Sequence, residues 1–170
     1  MVAARHDRPA PRLAARPPRH RAAALPAARA RLLQRGREDA RRAAQGVGTF
    51  PPLPSGDPVD LSVAAFTSRA VYDSDRSLKG RTVRLTGFVT HGDDGAWYIT
   101  RLLVSCCAAD ATTSKVELRG ADAPATDAWV TVTGIWRPKG RLGSSAAWPP
   151  LLDAKEVRGV EEPSNPYEQR

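Results

Sequence analysis

Apolar and polar residues alternate in short runs from residue 82 to residue 157, the period of two that a strand with one buried face requires. In Thr82–Val89, Val83 and Leu85 alternate with Arg84 and Thr86. Trp97–Val104 returns after His91-Gly92-Asp93-Asp94-Gly95, a stretch of residues that tolerate turn conformations, so the pair predicts a hairpin. Lys115–Leu118, Ala128–Trp136 and Leu151–Val157 supply a third, fourth and fifth strand. The first and fourth carry internal glycines, Gly87 and Gly134, where a bulge or a sharp bend is expected. Five short strands with kinked first and fourth members predict a mainly β fold, a small, partly open barrel of the oligonucleotide/oligosaccharide-binding (OB) type. A β-sandwich asks for seven strands or more.

The period changes upstream. Leu61, Ala64, Ala65, Ala70 and Val71 approximate a helical stripe, which predicts a short helix over Leu61–Tyr72 with Asp60 as its cap and Asp73-Ser74-Asp75 at its end. Four prolines in Phe50–Pro58 impose extended geometry, so residues 47–59 are expected to be a linker and 60–168 the β domain. Gly140–Pro150 is expected to be a long loop and Val160–Tyr167 an extended exit.

Charge divides the chain unevenly. Residues 1–46 hold twelve arginines and no lysine against Asp7, Glu38 and Asp39, which exceeds the whole-chain net charge of +8 by one. Residues 47–170 are therefore near neutral, at −1. The first segment is mostly Arg, Ala and Pro, with too little apolar surface to offset the entropy of ordering, so it is expected to be a disordered tail. Its composition is also what a GC-rich stretch read out of frame gives, and the upstream DNA read in three frames separates the two origins. No run approaches the roughly 20 apolar residues of a membrane-spanning helix, so the chain as written reads as soluble.

The most distinctive chemistry lies in Arg101-Leu102-Leu103-Val104-Ser105-Cys106-Cys107-Ala108-Ala109-Asp110. Cys106 and Cys107 are the two cysteines of the chain. Adjacent side chains of an extended segment point to opposite faces, and a disulfide between neighbours would strain the intervening peptide. As soft thiolates they are candidate ligands for Zn or Cu(I), with Asp110 and His91 as the available additions. The alternative is one packed cysteine and one surface thiol. Asp110 suits the cap of the turn after the strand, and Arg101 suits an anionic ligand, a partner carboxylate or plain solvation.

Trp97, Tyr98, Trp129, Trp136 and Trp148 invite a reading as stacking platforms for single-stranded nucleic acid. The near-neutral domain argues against it, since grooves that track a nucleic-acid backbone are basic. His91 is the one histidine beyond residue 46, no Gly-x-Ser-x-Gly elbow occurs, and no glycine-rich phosphate loop precedes a helix, so an enzyme is not expected.

Gly80–Val89, Trp97–Arg101, Ser105–Ala111, Asp127–Gly134 and the closing Pro163-Ser164-Asn165-Pro166-Tyr167 together resemble the soluble region of a bacterial family of two-component permease subunits. The likeness runs over roughly residues 50–168, and Cys-Cys-x-Ala-Asp is its specific part. The resemblance implies a membrane-anchored accessory subunit whose partner is a polytopic permease, and hence membrane association. It implies no catalytic residues; Cys106, Cys107 and Asp110 match its motif. The family carries transmembrane helices in its N-terminal half, where this chain has the arginine-rich segment.

Overall fold

The computed structural model describes Gln34, residues 41–104 and residues 108–169. Most of the arginine-rich segment, together with Ser105, Cys106 and Cys107, lies outside these residues. The elements in chain order are β1 (Val59–Asp60), α1 (Val63–Tyr72), β2 (Thr82–His91), β3 (Trp97–Val104), β4 (Thr112–Arg119), β5 (Trp129–Arg137), β6 (Leu151–Gly159) and β7 (Tyr167–Gln169).

The five strands expected from alternation are β2 to β6, and their pairings run round a closed circuit. β2 is antiparallel to both β3 and β5, β5 is antiparallel to β6, β6 is parallel to β4, and β4 is antiparallel to β3. This is an OB-like fold: three strands in meander, then a fourth beside the first and a fifth parallel to the third. Two short strands extend it. β1 runs parallel to β2 at Val83–Arg84, and β7 runs parallel to β3 at Leu102–Val104.

Alternation fixes what faces inward. Val83, Leu85 and Val89 of β2, Ile99 of β3, Val116 of β4, Val130 and Val132 of β5 and Leu152 of β6 are all fully buried in one cluster. α1 closes this core with Val63, Phe66 and Ala70. The predicted stripe is met in part: Leu61 and Ala70 belong to that cluster, while Ala64 and Val71 are buried outside it, on the neighbouring face of the helix.

The helix starts at Val63, and its cap is Ser62 rather than Asp60. Ser62 has extended backbone (φ −69°, ψ 155°) and its Oγ accepts from the Ala65 N–H at 3.0 Å. That is the geometry a cap needs. Asp60 is held instead in β1, where it meets Arg84 at 3.3 Å. Replacing Ser62 by Ala is expected to cost about 1 kcal/mol in urea unfolding, and a midpoint equal to wild type would contradict this cap.

Asp73 ends the helix as expected. Its carboxylate accepts from the Asp75 N–H at 3.0 Å and the Ser77 N–H at 2.9 Å, and from the Ser77 hydroxyl at 2.5 Å. The proline-rich stretch lies along the domain. Arg69 of α1 donates to the Pro51 carbonyl at 2.9 Å and stacks over Phe50 at 5.3 Å, while Leu53 packs on the core. Among the described residues no helix is long and apolar enough to cross a membrane.

Candidate functional site

The side of α1 turned away from the core presents Ala64, Thr67, Ser68, Val71 and Tyr72, residues three and four apart that share one face. They form one wall of a pocket of about 300 Å³. Leu103 of β3 and Thr112, Thr113 and Ser114 of β4 form the second wall, and Gly143, Ser144, Ser145 and Trp148 of the β5–β6 loop the third. Backbone hydrogen bonds fix that loop: the Gly143 N–H donates to the Val71 carbonyl at 2.8 Å, and the Ala147 N–H to Ser144 at 3.0 Å. At the floor the Ser114 hydroxyl donates to Thr67 Oγ1 at 3.2 Å, with both residues buried. None of the described lining residues carries a charge. Trp148 is 40 % exposed.

Next to the pocket, a carboxylate ties the last strand to the start of α1. Glu168 of β7 is 6 % exposed, and its carboxylate accepts from the N–H groups of Val63 and Ala64, each at 2.9 Å. These are the first two donors of α1, which a helix leaves without intrahelical partners. With Ser62 on Ala65 and the Ser62 carbonyl on Phe66, the first turn of the helix is fully satisfied. Arg101 lies 3.6 Å from Glu168, donates to the Asn165 carbonyl at 3.2 Å and stacks over Trp129 at 4.9 Å.

Arg101 is 8 % exposed, so the reading of a solvated arginine does not hold. The carboxylate it meets belongs to its own chain. Asp110 ends a short 3-10 turn over Ala108–Asp110 and is half-buried. Cys106 and Cys107, the candidate Zn or Cu ligands, fall outside the described residues. Among the described residues no three His, Cys, Asp or Glu side chains come together as a metal site. His91 is exposed, 2.9 Å through Nδ1 from the Thr126 hydroxyl.

The aromatic residues are mostly committed to packing. Trp97 and Trp136 are buried in the core, and Trp129 packs edge-on against Phe88 beneath Arg101. Tyr98 is covered by the Lys115 ammonium at 4.5 Å; partial burial raises its pKa, with Asp94 and Glu117 adding to the effect. Trp148 differs, because it stands in a loop at the pocket rim.

Sequence reasoning passed over Glu168 and the hydroxyl pocket. Glu168 meets residues 104 and 105 positions away, a separation that no local spacing rule detects. The pocket's helical wall could have been read from Ala64, Thr67, Ser68 and Val71, small or hydroxylated residues where a solvent-facing helix carries charges.

Burial raises the Glu168 pKa above its ordinary 4.5, against the opposing pull of the Ala64 N–H, Arg101 and the Val63 N–H. A raised folded-state value means that the folded protein binds this proton more tightly than the unfolded chain does. The Glu168 contribution to stability is therefore complete below 4.5 and declines as pH rises through the folded-state value. Urea unfolding from pH 4.5 to neutrality should show this decline, and Glu168→Gln should flatten it. Parallel pH profiles for the two proteins would assign the slope to other groups.

Residues 65–168 match the family model for the DUF1980 C-terminal domain. A search of curated proteins finds no match. Among solved structures the chain is similar to a DUF3299 family protein from Pseudomonas aeruginosa PAO1, at 16% identity over 70% of this chain and 93% of that one, with a TM-score of 0.36. It is also similar to the S. pombe Stn1–Ten1 complex, at 13% identity over 66% and 86% of the two chains, with a TM-score of 0.34. A third similar structure is an OBody bound to hen egg-white lysozyme, at 19% identity over 49% and 84%, with a TM-score of 0.31. Likenesses at this level carry no argument about function. The family match spans more than half of the sequence, and on that ground the chain belongs to the DUF1980 C-terminal domain family.

Proposed function

We propose that this OB-like domain is the non-enzymatic, ligand-handling module of a permease accessory subunit, presenting a small molecule or a docking surface to a polytopic membrane partner. The observation that carries the reading is the pocket between α1, β4 and the β5–β6 loop. It is concave and walled by three elements, and the α1 and loop walls are held to each other by a backbone hydrogen bond. Pre-formed concavity of this kind is the usual form of a small-molecule site. Its described lining residues offer hydrogen bonds and an aromatic edge, which suit binding. The permease partnership is supported by the resemblance through Cys106, Cys107 and Asp110 and the strand motifs around them.

The test is a transport assay in cells that express the protein with the permease encoded beside it. Deleting residues 65–168 should abolish or strongly reduce uptake, and Trp148→Ala should reduce it while the domain remains folded. Uptake unchanged by the deletion would overturn the proposal.

A further inference from the structure

We infer that the pocket between α1, β4 and the β5–β6 loop binds an uncharged, hydroxyl-rich molecule of about monosaccharide size. The inference rests on the ligand-handling reading and adds the chemical class. Three observations carry it.

The first is the lining. Among the described residues, seven that line the pocket are Ser or Thr, and none is Asp, Glu, Lys, Arg or His. An anionic ligand would leave its charge without a cation, and an ammonium would leave its charge without a carboxylate; in a partly enclosed site each costs binding energy. A hydroxyl donates one hydrogen bond and accepts two, so a wall of hydroxyls complements a ligand whose groups also do both. Sugars and polyols have that character.

The second is placement. Thr67, Ser68 and Ser114 are themselves buried, with Thr67 and Ser114 already joined at 3.2 Å. They are set on a helix and a strand rather than on mobile surface, and elements of that kind hold polar groups in a fixed pattern. Helix faces that meet water ordinarily carry long charged side chains. Here the short hydroxyls leave space, and the loop lines one side of it.

The third is Trp148. It is a large apolar side chain left 40 % exposed at the rim, beside Ser144 and Ser145. An indole there has an open surface for the C–H face of a sugar ring while the hydroxyl walls take its edges. The volume of about 300 Å³ is at the small end of the range for ligand sites. It suits one ring better than an oligomer.

The experiment is isothermal titration calorimetry on the full chain, with intrinsic tryptophan fluorescence as a second readout. The probes are D-glucose, D-galactose, N-acetylglucosamine and inositol, set against glucose 6-phosphate, gluconate and glucosamine as charged counterparts. Saturable binding of at least one neutral probe is expected, tighter than its charged counterparts, with a change in fluorescence. Trp148→Ala is expected to weaken binding at least tenfold. Thr67→Val, which keeps volume and removes one hydroxyl, should do so as well, and thermal melts of both variants check that the domain is folded.

Binding of charged probes alone, lost in Trp148→Ala, would overturn the ligand class and leave the ligand-handling reading standing. No binding by any probe would also overturn the class, and the transport assay then decides the broader reading independently. Neutral binding that survives both substitutions would place the ligand elsewhere and overturn the site.

Discussion

Replacing Glu168 by Ala is expected to destabilise the domain by about 3 kcal/mol, the lower end of what breaking a buried ion pair costs. The loss has two sources. The Val63 and Ala64 N–H groups lose the carboxylate that they donate to at 2.9 Å, and Arg101 keeps a buried charge with its acidic neighbour gone. The cost stays below the upper range because Arg101 retains the Asn165 carbonyl and the face of Trp129. Glu168→Gln should cost less, since an amide oxygen still serves one N–H and no ionic charge has to be buried. If the account is right, the penalty of Glu168→Ala shrinks when Arg101 is replaced by Met, and the double-mutant cycle reads out that coupling. A Glu168→Ala midpoint within about 0.5 kcal/mol of wild type, the range of ordinary surface changes, would show that β7 contributes nothing to holding α1.

The position of Glu168 explains how the domain is assembled from distant parts of the sequence. α1 precedes the five-stranded circuit, and β7 follows it. The carboxylate joins them across β3, whose Leu102–Val104 edge β7 occupies. The tie also sets one side of the pocket, because the helix that Glu168 anchors carries the Thr67 and Ser68 wall.

What the sequence made legible follows from the range over which each signal acts. Alternation is local, so the five strands of the circuit were recovered from runs such as Thr82–Val89 and Ala128–Trp136. β4 was drawn too short because its first three residues, Thr112, Thr113 and Ser114, are polar on both faces: outward toward solvent and inward toward the pocket. β1 and β7 were missed because two or three residues cannot show a period. The helix was placed correctly at its C-terminal end, where Asp73 folds back on residues two and four positions on. Its start was misassigned because Asp60 and Ser62 both satisfy the composition rule, and pairing of β1 with β2 decides between them. Arg101 was singled out for its charge, yet the residue that meets it, Glu168, lies in what looked like an exit segment.

The two kinked glycines carry the other large expected effect. Gly87→Ala and Gly134→Ala should each destabilise by about 2–3 kcal/mol, as overpacking against a fixed neighbour does, although neither glycine has an unusual backbone conformation. At Gly87 an added Cβ would stand 2.5 Å from the Thr100 carbonyl oxygen and 2.9 Å from Ile99 Cγ1. At Gly134 it would meet the Asp153 carbonyl oxygen and press on Leu152 Cγ at 3.0 Å. In both cases the obstacle is the backbone of the neighbouring strand, which cannot turn aside as a flexible side chain does. The sites are where the circuit turns. Gly87 passes over β3 where the β2–β3 pairing begins at Phe88 and Thr100, and Gly134 sits at the register shift between β5 and β6. A side chain at either point would push two strands apart and open the ring next to the buried Ile99 or Leu152. Gly159→Ala is the control, since nothing lies within 4 Å of its added carbon, and it should change stability by less than about 0.5 kcal/mol. If all three substitutions proved equally mild, close strand approach would not be what closes the five-stranded circuit.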